Sequence, residues 1–322
     1  MKEAERRSEE RFARAVDGLL DSYVAHGGIN HIEGHLLPSV EQVVEIIGEL
    51  ESVLFPGYYE KERIDPLNVR YVIGEKCARI YSCLTQEVKK SLLHTARCET
   101  AGEVDEAAAE RQARDIVLDL IEELPRIREV LYEDANAALL GDPAARSIVE
   151  VLLAYPSIRA IAIYRIAHFL HVRQVPLIPR MMTEYVHGKT GIDIHPGARI
   201  GKGLFIDHGT GVVIGETAVI GDGCKLYQGV TLGALSVRRS GPATWTPEKR
   251  HPTLEDRVTV YSGATILGGD TVIGADSVIG GNVWLTQSVP PGTRVQIEPP
   301  YLIYRDANGR RPTARRPIDY QI

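Results

Sequence analysis

The sequence predicts an α+β chain: an α-helical region over residues 1–190, a parallel β-helix over 191–291, and a tail over 292–322. Three observations predict it. Apolar residues in the first region recur at spacings of three and four, the period of a helix with one buried face. From Ile192 the spacing becomes six, which suits neither a helix nor a two-faced strand. The six-residue period then breaks once, between Leu232 and Tyr261, where a polar stretch intervenes.

Taken in order, the chain opens on "MKEAERRSEERFARAV", with no apolar run behind its charges, so no signal peptide is expected. The stretch "AHGGINHIEGH" contributes His26, His31 and His35; a metal site is conceivable there, but its glycines favour a turn. In "SVEQVVEIIGELESVLF", Val40, Val43, Val44, Ile47, Leu50 and Leu54 define a helix, with Ser39 as N-cap after Pro38. "EVDEAAAERQARDIVLDLIEEL" is rich in strong helix formers. "DPAARSIVEVLLAYPSIRAIAIYRIAHFLHV" reads as two apolar helical stretches interrupted by Pro156.

In the second region branched residues fall at Ile194, Ile200 and Ile206, then at Ile214, Ile220, Leu226 and Leu232, and again at Leu267, Ile273, Ile279 and Leu285. Glycine often comes directly after. A three-sided parallel β-helix has this period, with one short strand and one turn per six residues and about three repeats per coil. The inward aliphatic fills the narrow core. The interruption, a loop over 233–252 containing "GALSVRRSGPATWTPEKRHP", cannot lie inside the prism and must project from it. Loops on rigid scaffolds commonly carry function.

The totals restrict the reading further. The chain has 322 residues, 44% hydrophobic and 25% charged, with a formal charge of −6. This suits a globular protein and gives no general attraction to nucleic acid or an anionic membrane. No apolar run reaches the length of a membrane span. Cys77, Cys83, Cys98 and Cys224 form no CxxC, so a cytoplasmic protein without a disulfide framework is expected.

A β-helix coil buries aliphatics, so polar interruptions require an account. Asp193 and His195 stand in "DIHPG", Asp207 and His208 in "FIDHGTG", and Arg250 and His251 in "KRHP"; Asp142 precedes Pro143 ahead of the last helices. Asp193 and His208, about one coil apart, are spaced to lie near one edge, where a carboxylate can hold an imidazole in one tautomer as a base. As surface turn residues each would be unremarked; together, among Val, Ile and Gly, they suggest a shared site.

"DIHPGARIGKGLFIDHGTGVVIGETAVIGDG", "GVTLGA" and "KRHPTLEDRVTVYSGATILGG", with "GDPAA" and "YRIAHFL" upstream, resemble the serine O-acetyltransferases of the hexapeptide-repeat acyltransferase superfamily. The resemblance implies a left-handed β-helix as catalytic domain, a helical assembly domain, and transfer of acetyl from acetyl-CoA to the L-serine hydroxyl in cysteine biosynthesis, with no metal. It implies His208 as general base with Asp193 as its partner, and Asp142, Asp207, Arg250 and His251 as the residues that hold serine. By position, Gly233, Ala234, Ser262 and Gly281 are candidates for contact with the pantetheine arm. His195 is expected to be structural. The resemblance also implies trimers with sites between chains, or dimers of trimers, and docking of the C-terminal Ile322 into an O-acetylserine sulfhydrylase. The sequence departs from the family after "SVPPGT", where "RVQIEPPYLIYR" replaces the usual CoA-contacting stretch. The rival readings are a hexapeptide-repeat O-acetyltransferase for a sugar or other hydroxyl acceptor, a zinc enzyme using His195, His208 and His251, and a non-catalytic scaffold.

Overall fold

The computed structural model describes residues 2–32, 37–59, 63–99, 104–235 and 249–298. His35, the loop residues 236–248 and the tail from 299, including Ile322, lie outside the described residues. The helices are α1 (Lys2–Ala25), α2 (Val40–Leu54), α3 (Val69–Glu99), α4 (Glu106–Gly141), α5 (Ile148–Ala154), α6 (Pro156–Val172) and α7 (Ile178–Thr190).

Ser39 caps α2 as expected, its hydroxyl accepting the Gln42 amide at 3.2 Å. Val43, Ile47, Leu50 and Leu54 are buried, but Val40 is 60% exposed. Pro156 begins α6, where its missing N–H leaves no bond unmade. His26 and His31 flank a 3₁₀ turn over Gly27–Ile29 and are exposed. In α1, Phe12, Leu19, Leu20 and Tyr23 are exposed among the described residues. The four cysteines are free. Among the described residues no helix is long and apolar enough to cross a membrane.

Among the described residues, fourteen short strands come after the helices: β1 (Asp193–Ile194), β2 (Arg199–Ile200), β3 (Phe205–Asp207), β4 (Val213–Ile214), β5 (Val219–Ile220), β6 (Lys225–Tyr227), β7 (Thr231–Gly233), β8 (Thr253–Leu254), β9 (Thr259–Val260), β10 (Thr265–Leu267), β11 (Val272–Ile273), β12 (Val278–Ile279), β13 (Trp284–Leu285) and β14 (Arg294–Val295). They form three parallel sheets. The first face is β1-β4-β7-β10-β13, the second β2-β5-β8-β11, and the third β3-β6-β9-β12-β14. The chain visits the faces in turn, giving the left-handed β-helix. Ile194, Ile214 and Leu232 stack in register on the first face, and Ile206, Leu226 and Val260 on the third. The count is not six throughout: the step from Ile206 to Ile214 takes eight residues. Ile266, not Leu267, pairs with Leu232 and points inward, because the step onward to Ile273 takes seven residues.

The polar coil residues singled out in the sequence divide between two edges of the prism, while Asp222, Asp256, Arg257 and Asp276 line the third. Residues that join the third face to the first include His208, Gln228, Ser262 and Gly281. Residues that join the first face to the second include His195, Glu216, Thr217, Arg250 and His251. The chain between β7 and β8, which includes residues 236–248, starts from and returns to this second edge.

The helices are tied to the first coil through polar bonds. Arg165 of α6 bonds Asp134 of α4 at 2.8 and 2.9 Å and donates to the Gly201 carbonyl at 2.8 Å. Asp134 also accepts the Leu204 amide at 2.9 Å. With both charges buried and each partner's bonds satisfied, this pair fixes α4 against β3, and so fixes where Asp142 arrives.

Candidate active site

His208 sits at the end of β3 with φ 58°, a left-handed conformation uncommon for a residue with a side chain. The Gly209 amide donates to the Asp207 carbonyl at 2.6 Å, closing a three-residue turn around it. The turn pushes the imidazole out of the prism, leaving it 72% exposed, with Nε2 3.9 Å from Asp207 Oδ1. Such strained positions cluster where a side chain must be aimed.

Asp142 approaches this edge from the end of α4. Its carboxylate accepts the Tyr155 hydroxyl at 2.5 Å and the Ala144 amide at 2.8 Å. These two bonds, Tyr155 first, hold Asp142 below the usual carboxylate range, and the same contact pushes the Tyr155 hydroxyl up to about 12. Lys225, one coil beyond Phe205 on the third face, donates to the Gly141 carbonyl at 2.6 Å and lies 3.9 Å from Asp207 Oδ2. Asp142, Asp207 and His208 therefore gather at the first edge. Asp193 lies on β1, 3.8 Å from Arg180; no hydrogen bond joins it to His208 among the described residues.

The second edge holds a different group. An Arg250 guanidinium nitrogen bonds Glu216. The Thr217 hydroxyl accepts the Arg250 amide at 2.9 Å and the His251 amide at 3.0 Å. The Thr217 amide donates to His251 Nδ1 at 3.0 Å, so the neutral ring carries its proton on Nε2. Lys249 closes the loop end through the Thr217 carbonyl at 2.7 Å, and burial brings its ammonium down to about 8. Burial first, then Arg250, pushes the His251 imidazole down to about 4. A cavity of 760 Å³ opens here, lined by His168, His171, Arg180, His195, Glu216 and Arg250, among others.

His195 belongs to this second edge. Its Nδ1 accepts the Gly197 amide at 3.0 Å, which again places the proton on Nε2, and burial pushes the ring down to about 4. A ring that holds its proton on the outward nitrogen and resists a second one is a poor base. The three histidines of the zinc reading do not converge within one chain: His208 is on one edge, His195 and His251 on the other. Among the described residues, Glu184, His187 and Asp193 bring their ligand atoms within 4.8 Å of one another. Arg180 already bonds Glu184 and faces Asp193, so that group is an ion-pair network.

The pantetheine candidates divide in the same way. Ser262 and Gly281 lie on adjacent coils at the first edge, where the Asn282 amide donates to the Ser262 carbonyl at 2.9 Å. Gly233 ends β7 and Ala234 follows it at the second edge, the Gly233 carbonyl accepting the Gly268 amide at 3.1 Å. Sequence reasoning missed Tyr155, Glu216, Thr217, Lys225 and Lys249. Glu216 and Thr217 carried a signal, since they are polar residues directly after the aliphatic-glycine step at Ile214–Gly215.

No family model matches the chain. It is 42% identical over 295 residues to a plasmid-encoded serine acetyltransferase of Synechococcus elongatus, covering 89% of this chain and 92% of that one. It is 53% identical over 126 residues to a serine acetyltransferase of Helicobacter pylori, covering 39% of this chain and 69% of that one. Its fold is similar to serine acetyltransferase 1 of Entamoeba histolytica in complex with L-cysteine, with TM-score 0.67 and 35% identity over 82% of this chain and 88% of that one. It is also similar to the Neisseria gonorrhoeae serine acetyltransferase in complex with serine, with TM-score 0.50 and 25% identity over 84% of this chain and 98% of that one.

Proposed function

The chain belongs to the serine acetyltransferase family, and from that premise we propose that it transfers acetyl from acetyl-CoA to the hydroxyl of L-serine, giving O-acetyl-L-serine and CoA in cysteine biosynthesis, in the cytoplasm. His208 is the general base. It takes the hydroxyl proton as the serine oxygen attacks the thioester carbonyl, and returns a proton to the departing thiolate. A positioned base contributes roughly 10²–10⁴ in rate, and alignment of hydroxyl and thioester supplies much of the remainder. The observation that carries this reading is the contrast between the two candidate bases. His208 is outward and open to a substrate, whereas His195 is half-buried with its Nδ1 lone pair occupied.

Asp193 supports the imidazolium once the substrate is bound. Asp142 and Asp207 receive the serine ammonium, and Arg250 and His251 the carboxylate, Arg250 through its two-pronged guanidinium. Because these groups occupy different edges of one prism, the complete site lies between copies, with the first edge of one chain against the second edge of its neighbour. Ser262 and Gly281 from one side and Gly233 and Ala234 from the other then flank a single pantetheine channel. Three copies close such a heterologous contact into a ring. The apolar side of α1 suits a further contact between trimers. Ile322, if offered to an O-acetylserine sulfhydrylase, is tested by co-elution with and without that residue.

The test of the activity is thiol release from acetyl-CoA with L-serine, L-threonine and a panel of sugars. Serine-dependent release supports the reading. Release with a sugar and none with serine transfers the chain's chemistry to another hydroxyl acceptor.

A further inference from the structure

Lys225 lies beside both carboxylates assigned to the serine ammonium, next to Asp207 directly and to Asp142 through the Gly141 carbonyl. It projects outward from β6 and should, as a surface lysine, reach for solvent. Instead its side chain is only 21% exposed. The ammonium sits 4.8 Å from the ring centre of Phe205, its register neighbour on the adjacent coil, and 4.8 Å from that of Tyr227, two residues onward on the same strand. It donates to the Gly141 carbonyl at 2.6 Å and lies 3.9 Å from Asp207 Oδ2.

Each of these surroundings favours a cation. Aromatic faces attract it, the C-terminal end of α4 carries partial negative charge, and Asp207 is a carboxylate. The bonded carbonyl belongs to the peptide that joins Gly141 to Asp142, so the lysine holds the backbone from which Asp142 projects. The approach is close: a Cβ on Gly141 would lie 2.7 Å from Phe205 Cδ1, so the end of α4 can move little toward the prism.

We propose that Lys225 is a positioning residue of the amino-acid site, pinning the Gly141–Asp142 peptide against β3 and offsetting one of the two carboxylate charges, so that the empty pocket is set for a single ammonium group. With Asp142 and Asp207 ionised and Lys225 charged, the cluster carries one net negative charge, matched to the ammonium of one amino acid. Without Lys225, the two carboxylates share no fixed cation, and the Gly141 carbonyl loses its bond to the prism. This inference rests on the assignment of Asp142 and Asp207 to the serine ammonium.

The experiment is steady-state kinetics of the full chain carrying Lys225→Met, Lys225→Gln or Lys225→Arg, each with a thermal melt. Lys225→Met is expected to raise the serine KM by about tenfold or more, with a smaller fall in kcat and little change in the acetyl-CoA KM. Lys225→Gln, which can still donate to Gly141 but has no charge, should also raise it. Lys225→Arg should restore most of the serine affinity. If Lys225→Met does not fold, the Gln and Arg variants carry the same comparison. Wild-type turnover on serine with an unchanged serine KM in Lys225→Met and Lys225→Gln overturns the role of Lys225 alone. Equal rises in both substrates' KM, or an arginine variant as poor as glutamine, also overturn it. A wild type inactive on serine overturns the functional reading with it.

Discussion

At the residue scale, what distinguishes His208 from the other histidines is the state of its nitrogens. His195 and His251 have their Nδ1 lone pairs occupied by backbone amides, and His195 is half-buried and His251 buried. His208 is held outward by a tight turn and has neither restriction. Replacement by asparagine separates chemistry from backbone, because asparagine tolerates the left-handed conformation. His208→Asn should lose at least about a hundredfold in kcat, with a smaller change in serine KM and a nearly unchanged melting temperature. Near-normal turnover in His208→Asn, alongside a dead His195→Asn, would reverse the assignment. Arg250 carries a different signature. Arg250→Lys keeps the charge but loses the planar fork that both Glu216 and a carboxylate can use. Serine affinity should weaken strongly while acetyl-CoA affinity changes little; equal weakening of both would indicate collapse of the loop end instead.

At the element scale, the six-residue coil is both scaffold and spacer. Gly215 shows how close the fit is: a Cβ there would lie 2.1 Å from His251 Cδ2. The His251 ring cannot swing aside without breaking its bonds to Thr217, so Gly215→Ala should lower the melting temperature and raise serine KM, both measurable on one preparation. The second edge also sets an acid limit. His195 and His251 titrate at about 4 in the folded chain, depressed by burial, against about 6.5 when unfolded. Between those values the unfolded chain binds protons that the folded chain refuses, so stability is complete above about 6.5 and falls as pH drops toward 4. The melting temperature should decline from pH 7 to pH 5, and His251→Gln should flatten that decline; an unaltered slope would remove His251 as a cause. Much of this architecture was legible beforehand, because a core one side chain wide leaves a strict period in Ile214, Ile220 and Leu226. The slip from Leu267 to Ile266 was not, since both are aliphatic and either fits a period judged by residue type. Tyr155, Lys225 and Lys249 were not legible either. Their partners lie 13, 84 and 32 residues away in sequence, and only the docking of α4 and the return of the loop bring them together.

At the scale of the whole molecule, the residues that the sequence assembled into one site occupy two edges of the prism. That division was invisible in the sequence because residue type marks a position as polar without revealing which edge of the coil it occupies. A monomer held apart from its neighbours should accordingly have no serine turnover, however well folded. Mixing of inactive chains tests this sharing most directly. Chains carrying His208→Asn and chains carrying Arg250→Ala are unfolded and refolded together in equal amounts, and serine-dependent thiol release is compared with each parent. Random assembly with sites between copies should restore roughly a quarter of wild-type turnover, since one site in four then joins an intact first edge to an intact second edge. Mixing His208→Asn with Asp142→Ala, both on the first edge, should restore none. Activity no greater than the sum of the parents in the first mixture, under conditions where wild-type chains refold to full activity, would contradict a site shared between copies.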